Sequence, residues 1–156
     1  MLGELRVFQT LLGAKGGLPD LLIIGIDANC DGLTRARKHI EAIIDSSLFP
    51  TVALAVPDPH VERWFLCDPR ALRNATDAHI ALPRRKCDRD LYKQMLSSAL
   101  VEAGNVVTLG GAEFAEEIVA EMDFFGAGKA EPSLKIFLDD VRNAMKRWAS
   151  SGLGGP

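Results

Sequence analysis

The segment Ile26-Asp27-Ala28-Asn29-Cys30-Asp31-Gly32 gathers two carboxylates, a carboxamide and a thiol along one short run. Carboxylates held this close repel one another unless a cation neutralises them. Oxygen donors suit hard ions, so the chemistry on offer is binding of Mg²⁺, Mn²⁺ or Ca²⁺. A second acidic group follows at Pro57-Asp58-Pro59-His60-Val61-Glu62. If the two groups end neighbouring strands, Asp27, Asp31, Asp58 and Glu62 meet at one edge. A divalent ion held there activates water and stabilises a leaving oxygen.

Each of these residues also has a plainer role. Asp31 or Thr34 can cap the helix that follows, Glu62 can serve as a first-turn acid favoured by the helix dipole, and Pro-Asp-Pro is ordinary turn chemistry. His60 can orient a phosphate or shuttle a proton. The spacing Asp-x-Asn-x-Asp-Gly matches the first half of an EF-hand loop, but the twelfth position counted from Asp27 is Lys38, where a calcium loop needs a bidentate Glu. Arg84, Arg85, Lys86, Arg89 and Lys93 form the one dense basic cluster, suited to a nucleic-acid backbone or a scissile phosphate. Trp64, Phe65, Phe124, Phe125 and Trp148 fall at helical spacings among apolar residues and are predicted to be core, in preference to base-stacking platforms.

The elements that must position these groups alternate in period. Apolar residues at 2, 5, 7, 8, 11 and 12 predict a helix over Leu2 to Leu12, broken by Gly13, Gly16, Gly17 and Pro19. Leu21 to Ile26 and Thr51 to Val56 read as buried strands. Between them a helical pattern runs from Thr34 to about Leu48. Further helices are predicted over Val61–Cys67, Asp88–Ala103 and Ala112–Phe125, with a last one from Pro132 whose apolar face continues to Trp148. The residues between Cys67 and Asp88 read as a polar stretch. Strand, helix and strand in this order imply a βαβ unit with a parallel sheet, and such sheets bind ligands at the carboxyl ends of their strands.

The chain has 156 residues, enough for one domain with its own core, expected over 1–149 with a disordered tail over 150–156. Its 18 Lys and Arg against 21 Asp and Glu give a net charge of −3, so it is no bulk polycation and any nucleic-acid contact needs a local patch. Three widely spaced cysteines, Cys30, Cys67 and Cys87, predict free thiols in a reducing compartment rather than a disulfide framework. His39, His60 and His79 match no zinc spacing. The N-terminus lacks signal-peptide features, and the longest apolar run, Leu21 to Ile26, is far too short for a membrane span. A cytoplasmic location is the expectation.

The acidic turn resembles the Asp-x-Asp-x-Asp-Gly motif of Toprim domains, shared by type II topoisomerases, primases and overcoming-lysogenization-defect nucleases. Asp58 followed by Glu62-Arg63-Trp64-Phe65-Leu66 is similar to a second motif of small Toprim-like proteins encoded beside ATPases in bacterial defence loci. Lys86-Cys87 with Asp90-Leu91-Tyr92-Lys93 is similar to a Lys-rich segment after it. The resemblance covers roughly residues 20 to 95. It implies a Toprim-like, Rossmann-like three-layer α/β domain, a parallel sheet flanked by helices, with a helical C-terminal third. In this reading Asp27, Asp31 and Glu62 hold Mg²⁺ or Mn²⁺, Asp58 and Glu62 assist the chemistry, Lys86 neutralises the scissile phosphate, and Arg84, Arg85 and Lys93 contact the backbone. Asn29 stands where many members carry the middle Asp. The opening strand whose Glu serves as ligand or acid/base in the family has no counterpart ahead of the first helix. Glu4 stands near that place, and Glu62 can supply the carboxylate.

Two functions follow from the resemblance. One is a metal-dependent nuclease acting on DNA or RNA, with homo-oligomers allowed. The other is a non-catalytic subunit that binds and regulates an ATPase partner. Phosphoryl transfer on a small molecule ranks last, because Asp27 and Asn29 do not make the Asp-x-Asp nucleophile pair of phosphatases.

Overall fold

A computed structural model describes residues 2–14, 18–88 and 90–150. The segment predicted to be a disordered tail lies outside them from residue 151 onward, as does Arg89 of the basic cluster. Helix α1 spans Leu2–Ala14, strand β1 Leu22–Gly25, helix α2 Leu33–Glu41 and strand β2 Val52–Ala55. Six helices complete the order: α3 Glu62–Leu66, α4 Pro69–Thr76, α5 Leu91–Glu102, α6 Ala115–Ala120, α7 Phe124–Ala130 and α8 Pro132–Ser150. The architecture is mixed α/β, with a small two-stranded parallel sheet and a helical majority.

Strands β1 and β2 pair in the register Leu22↔Val52 to Gly25↔Ala55. Leu54, whose backbone points away from β1, donates its N–H to Asp140 of α8 at 3.2 Å. Its carbonyl accepts from Arg37 of α2 at 3.5 Å, and Arg37 closes the set on Asp140 at 2.9 Å. Side chains therefore take the outward backbone groups of Leu54, where a further strand would otherwise add. Among the described residues no strand pairs with the other side of β1, and Ile23 is 53% exposed there.

The core has two parts. Ala28, Ile40, Leu54 and Val56 fill the space between the sheet and α2. The larger part is helical and joins Trp64 and Leu66 of α3, Leu72 of α4, Tyr92, Leu96 and Leu100 of α5, Ile118 of α6 and Leu134 of α8. Trp64 also stacks on Phe137 at 5.5 Å between ring centres.

Several predictions need correction, among them the helix expected from Thr34 to about Leu48, which ends at Glu41. The polar stretch after Cys67 contains α4, started by Asp68, whose carboxylate accepts from Arg70 N and Ala71 N at 3.1 and 3.2 Å, with Pro69 at the first helical position. The helix predicted over 112–125 is interrupted at 121–123, and Asp123 caps a new one through Phe125 N at 3.1 Å. That break carries Phe124 and Phe125 off the inward face. They are 44% and 73% exposed, and Trp148 is 43% exposed one turn beyond the last buried residue of α8, Ala144. Trp64 and Phe65 are buried as predicted. No helix among the described residues is long and apolar enough to cross a membrane.

Candidate functional site

Backbone pairing between the two strand segments does not stop with the strands. Ile26 N donates to Ala55 O at 3.0 Å, Ala28 N to Pro57 O at 2.8 Å and Asn29 N to Pro59 O at 2.9 Å. The acidic turn and the Pro-Asp-Pro segment thus run side by side past the carboxyl ends of β1 and β2. Asp27 and Asp58 are thereby brought to one edge.

Each carboxylate there is already engaged. Asp27 accepts from Val61 N at 3.0 Å and faces His60 Nδ1 at 3.4 Å. Asp58 accepts from Leu33 N at 3.3 Å, an open amide at the start of α2, and from Arg85 at 2.7 Å. The Asp58 hydrogen bond holds the Arg85 guanidinium above its usual range against a partial loss of water. His60 is buried, and its Nε2 has no hydrogen-bond partner among the described residues. Asp31 turns outward to Arg35 at 3.6 Å, an exposed pair that contributes little. Glu62 opens α3, half-buried, and its side chain makes no hydrogen bond or ion pair among the described residues.

The basic cluster divides. Arg85 reaches the edge, lying over Gly32 as well as on Asp58. Lys86 is fixed by its backbone, donating N–H to Tyr92 Oη at 2.8 Å, while its side chain is exposed. Arg84 is exposed beside it. Lys93 instead lies against Gly110, in the turn before α6.

Free thiols are predicted at all three cysteines, but Cys30 and Cys87 form a disulfide. The fold lays the basic loop on the acidic turn, so two cysteines 57 residues apart meet there. Spacing along the chain carries no trace of this. Cys67 is the free one, and burial, together with the charges of Glu131 and Asp68, pushes its thiol up to about 12. It is therefore no nucleophile at neutral pH.

Sequence reasoning also missed a support beneath the edge. Arg63 and Glu131 form a buried ion pair. Arg63 donates further to Pro83 O at 2.9 Å and to Tyr92 Oη at 3.3 Å. Ser133 donates to Glu131 at 2.8 Å and accepts from Trp64 Nε1 at 2.8 Å and from Asp58 N at 3.3 Å. A charge pair this buried is kept only with its remaining donors and acceptors satisfied, and here they are. The network ties α3, α5 and the start of α8 to the backbone of Asp58. Glu131 and Ser133 sit far from both acidic motifs in sequence, and no local pattern marks them.

The arrangement does not present a ready ligand set for a divalent ion. Among the described residues no three His, Cys, Asp or Glu side chains are grouped to hold one metal, and the oxygens of Asp27 and Asp58 already take protein donors. What the edge offers is two pairs on adjacent segments, Asp27 with His60 and Asp58 with Arg85. Compared with family models, with curated proteins and with solved structures, the chain matches none.

Proposed function

We propose that the chain is a divalent-metal-dependent nuclease of Toprim-like build, acting on DNA or RNA in bacterial defence. The observation that carries this reading is convergence: Asp27 from one strand end, Asp58 and His60 from the other, and Arg85 from the basic loop share one edge. Acids and a cation kept together at the carboxyl end of a parallel pair are the components that phosphodiester chemistry uses. In this reading Asp27, Asp31 and Glu62 are the ligands of Mg²⁺ or Mn²⁺, and Asp58 and Glu62 assist. Arg85 exchanges Asp58 for a phosphate, with Arg84 and Lys86 beside it. The reading asks the carboxylates to release protein donors before an ion binds, so no chemical step is derived through the ion. Plasmid DNA and a structured RNA incubated with Mn²⁺ test it. Cleavage by the wild-type chain that falls at least about a hundred-fold in Asp27→Ala is the expected result. Equal cleavage by the variant overturns the reading.

One observation favours the other function, a non-catalytic Toprim-like subunit for an ATPase partner. Among the described residues no strand pairs with the free side of β1, and α1 exposes Val7, Phe8 and Leu11. An unpaired strand edge and an apolar helix face are what a partner chain covers. Stable co-purification with one ATPase, together with no cleavage under any divalent metal, would decide for it.

A further inference from the structure

The two phenylalanines that the break before α7 turns outward lie over a cavity of about 390 Å³ between α7 and α8. Its charged lining is Lys129, Lys135 and Arg142 with one acid, Asp139. Lys129 sits over the Phe125 ring at 4.1 Å from its centre, covering one face, and the ring remains 73% exposed. Along α8 the inward face carries Ser133, Phe137, Asp140 and Ala144, which meet Trp64, Arg37 and the core. Lys135, Arg142 and Lys146 recur at helical spacing on the opposite face. Asp139 stands among them and is shared by Lys135 and Arg142. A second acid, Asp123, caps Phe125 N at the start of α7. Lys129, Lys135, Arg142 and Lys146 thus outnumber the carboxylates of Asp139 and Asp123 beside two exposed aromatic rings.

We propose that this α7–α8 face is a platform for single-stranded nucleic acid, with Phe125 stacking on a base and Lys129, Lys135, Arg142 and Lys146 meeting phosphates. A flat aromatic surface flanked by cations is complementary to a strand that offers a π-face and a negative charge at every nucleotide. Ser133, hydrogen-bonded to the backbone of Asp58, is buried on the inward face of α8, so the cationic row and the candidate site lie on different sides of that helix. The choice of nucleic acid over another polyanion rests on the nuclease reading above.

Fluorescence anisotropy of labelled oligothymidylate with the full chain, in EDTA so that no cleavage occurs, tests the platform. Phe125→Ala is expected to weaken binding at least about five-fold while its thermal melting stays that of the wild type, because the ring is exposed. Arg142→Gln is expected to reduce the slope of log K against log salt by about 0.7. Wild-type affinity in Phe125→Ala overturns the proposal, as does the absence of single-strand binding by the wild-type chain. Displacement of the oligonucleotide by polyglutamate at equal charge also overturns it and points to an acidic protein. The two readings fail separately. Cleavage lost in Asp27→Ala with metal-free binding intact leaves the platform standing, and cleavage by a wild-type chain whose binding ignores Phe125 removes the platform alone.

Discussion

Individual side chains here are mostly spent on holding turns closed, and Glu113 shows how completely. Its carboxylate accepts from the backbone of Thr108, from Leu109 N at 3.1 Å and from Gly111 N at 2.9 Å. The Thr108 hydrogen bond leads these in bringing its carboxyl from 4.5 down to about 2. A folded value below the unfolded one means the carboxylate stabilises the fold at pH above the ordinary value. That contribution fades as pH falls from about 4.5 and is gone once the folded carboxyl protonates near 2. Glu113→Gln should therefore flatten the acid side of the stability curve and leave the two chains parallel below pH 2. Urea midpoints measured across that range check it, and an unchanged slope in the variant would refute it. Asp27 and Asp58 are held in the same manner by backbone N–H groups. For that reason a carboxylate pattern in a sequence does not by itself distinguish a metal ligand from a turn.

At the scale of elements, Asp68 joins two helices. It caps α4, and its other oxygen accepts from Asp123 N at 2.9 Å, just before α7. Burial alone would raise its carboxyl, but the three backbone donors outweigh that and lower it. Asp68→Ala should cost about 2 kcal/mol, a cap of about 1 and a further hydrogen bond of similar size. Urea unfolding monitored by circular dichroism measures it, and Asp68→Asn should recover part of the loss. Elements with a strong period were legible in the sequence. The two strand runs and the helix leading to β1 lie where the spacing of Leu and Ile puts them, and α8 starts at Pro132 as expected, but its apolar face is not buried as far as Met145 and Trp148. Helix α4 was hidden by its polar exposed side, although Asp68-Pro69 is a readable start signal. The break before α7 was hidden because the apolar residues on both sides keep one helical period. In the candidate site, the nearness of Asp27 to Asp58 could be anticipated from strand pairing. Partners supplied by tertiary packing, namely Arg85, Ser133 and Cys87, leave no mark on local pattern.

Across the whole molecule, the Cys30–Cys87 disulfide spans α2, β2, α3 and α4. Closing a loop of 57 residues removes unfolded-chain entropy worth about 4 kcal/mol. Reduction should lower the melting temperature by roughly 10 °C in a chain of this size. Cys30→Ser should melt at the reduced temperature with or without reductant, and equal melting of oxidised and reduced wild-type chain would show that the bond adds nothing. Disulfides endure in oxidising surroundings and are short-lived in a reducing cytosol, so purification under each condition yields chains of different stability.

The side chains that finish β2 have a consequence of direction. Asp140 and Arg37 occupy the hydrogen-bonding positions that a strand beside Leu54 would need. The row at Ile23 and Gly25 carries no such cover among the described residues. The sheet is thus one-sided: any strand that joins it has a single address, and that address borders the turn that carries Asp27.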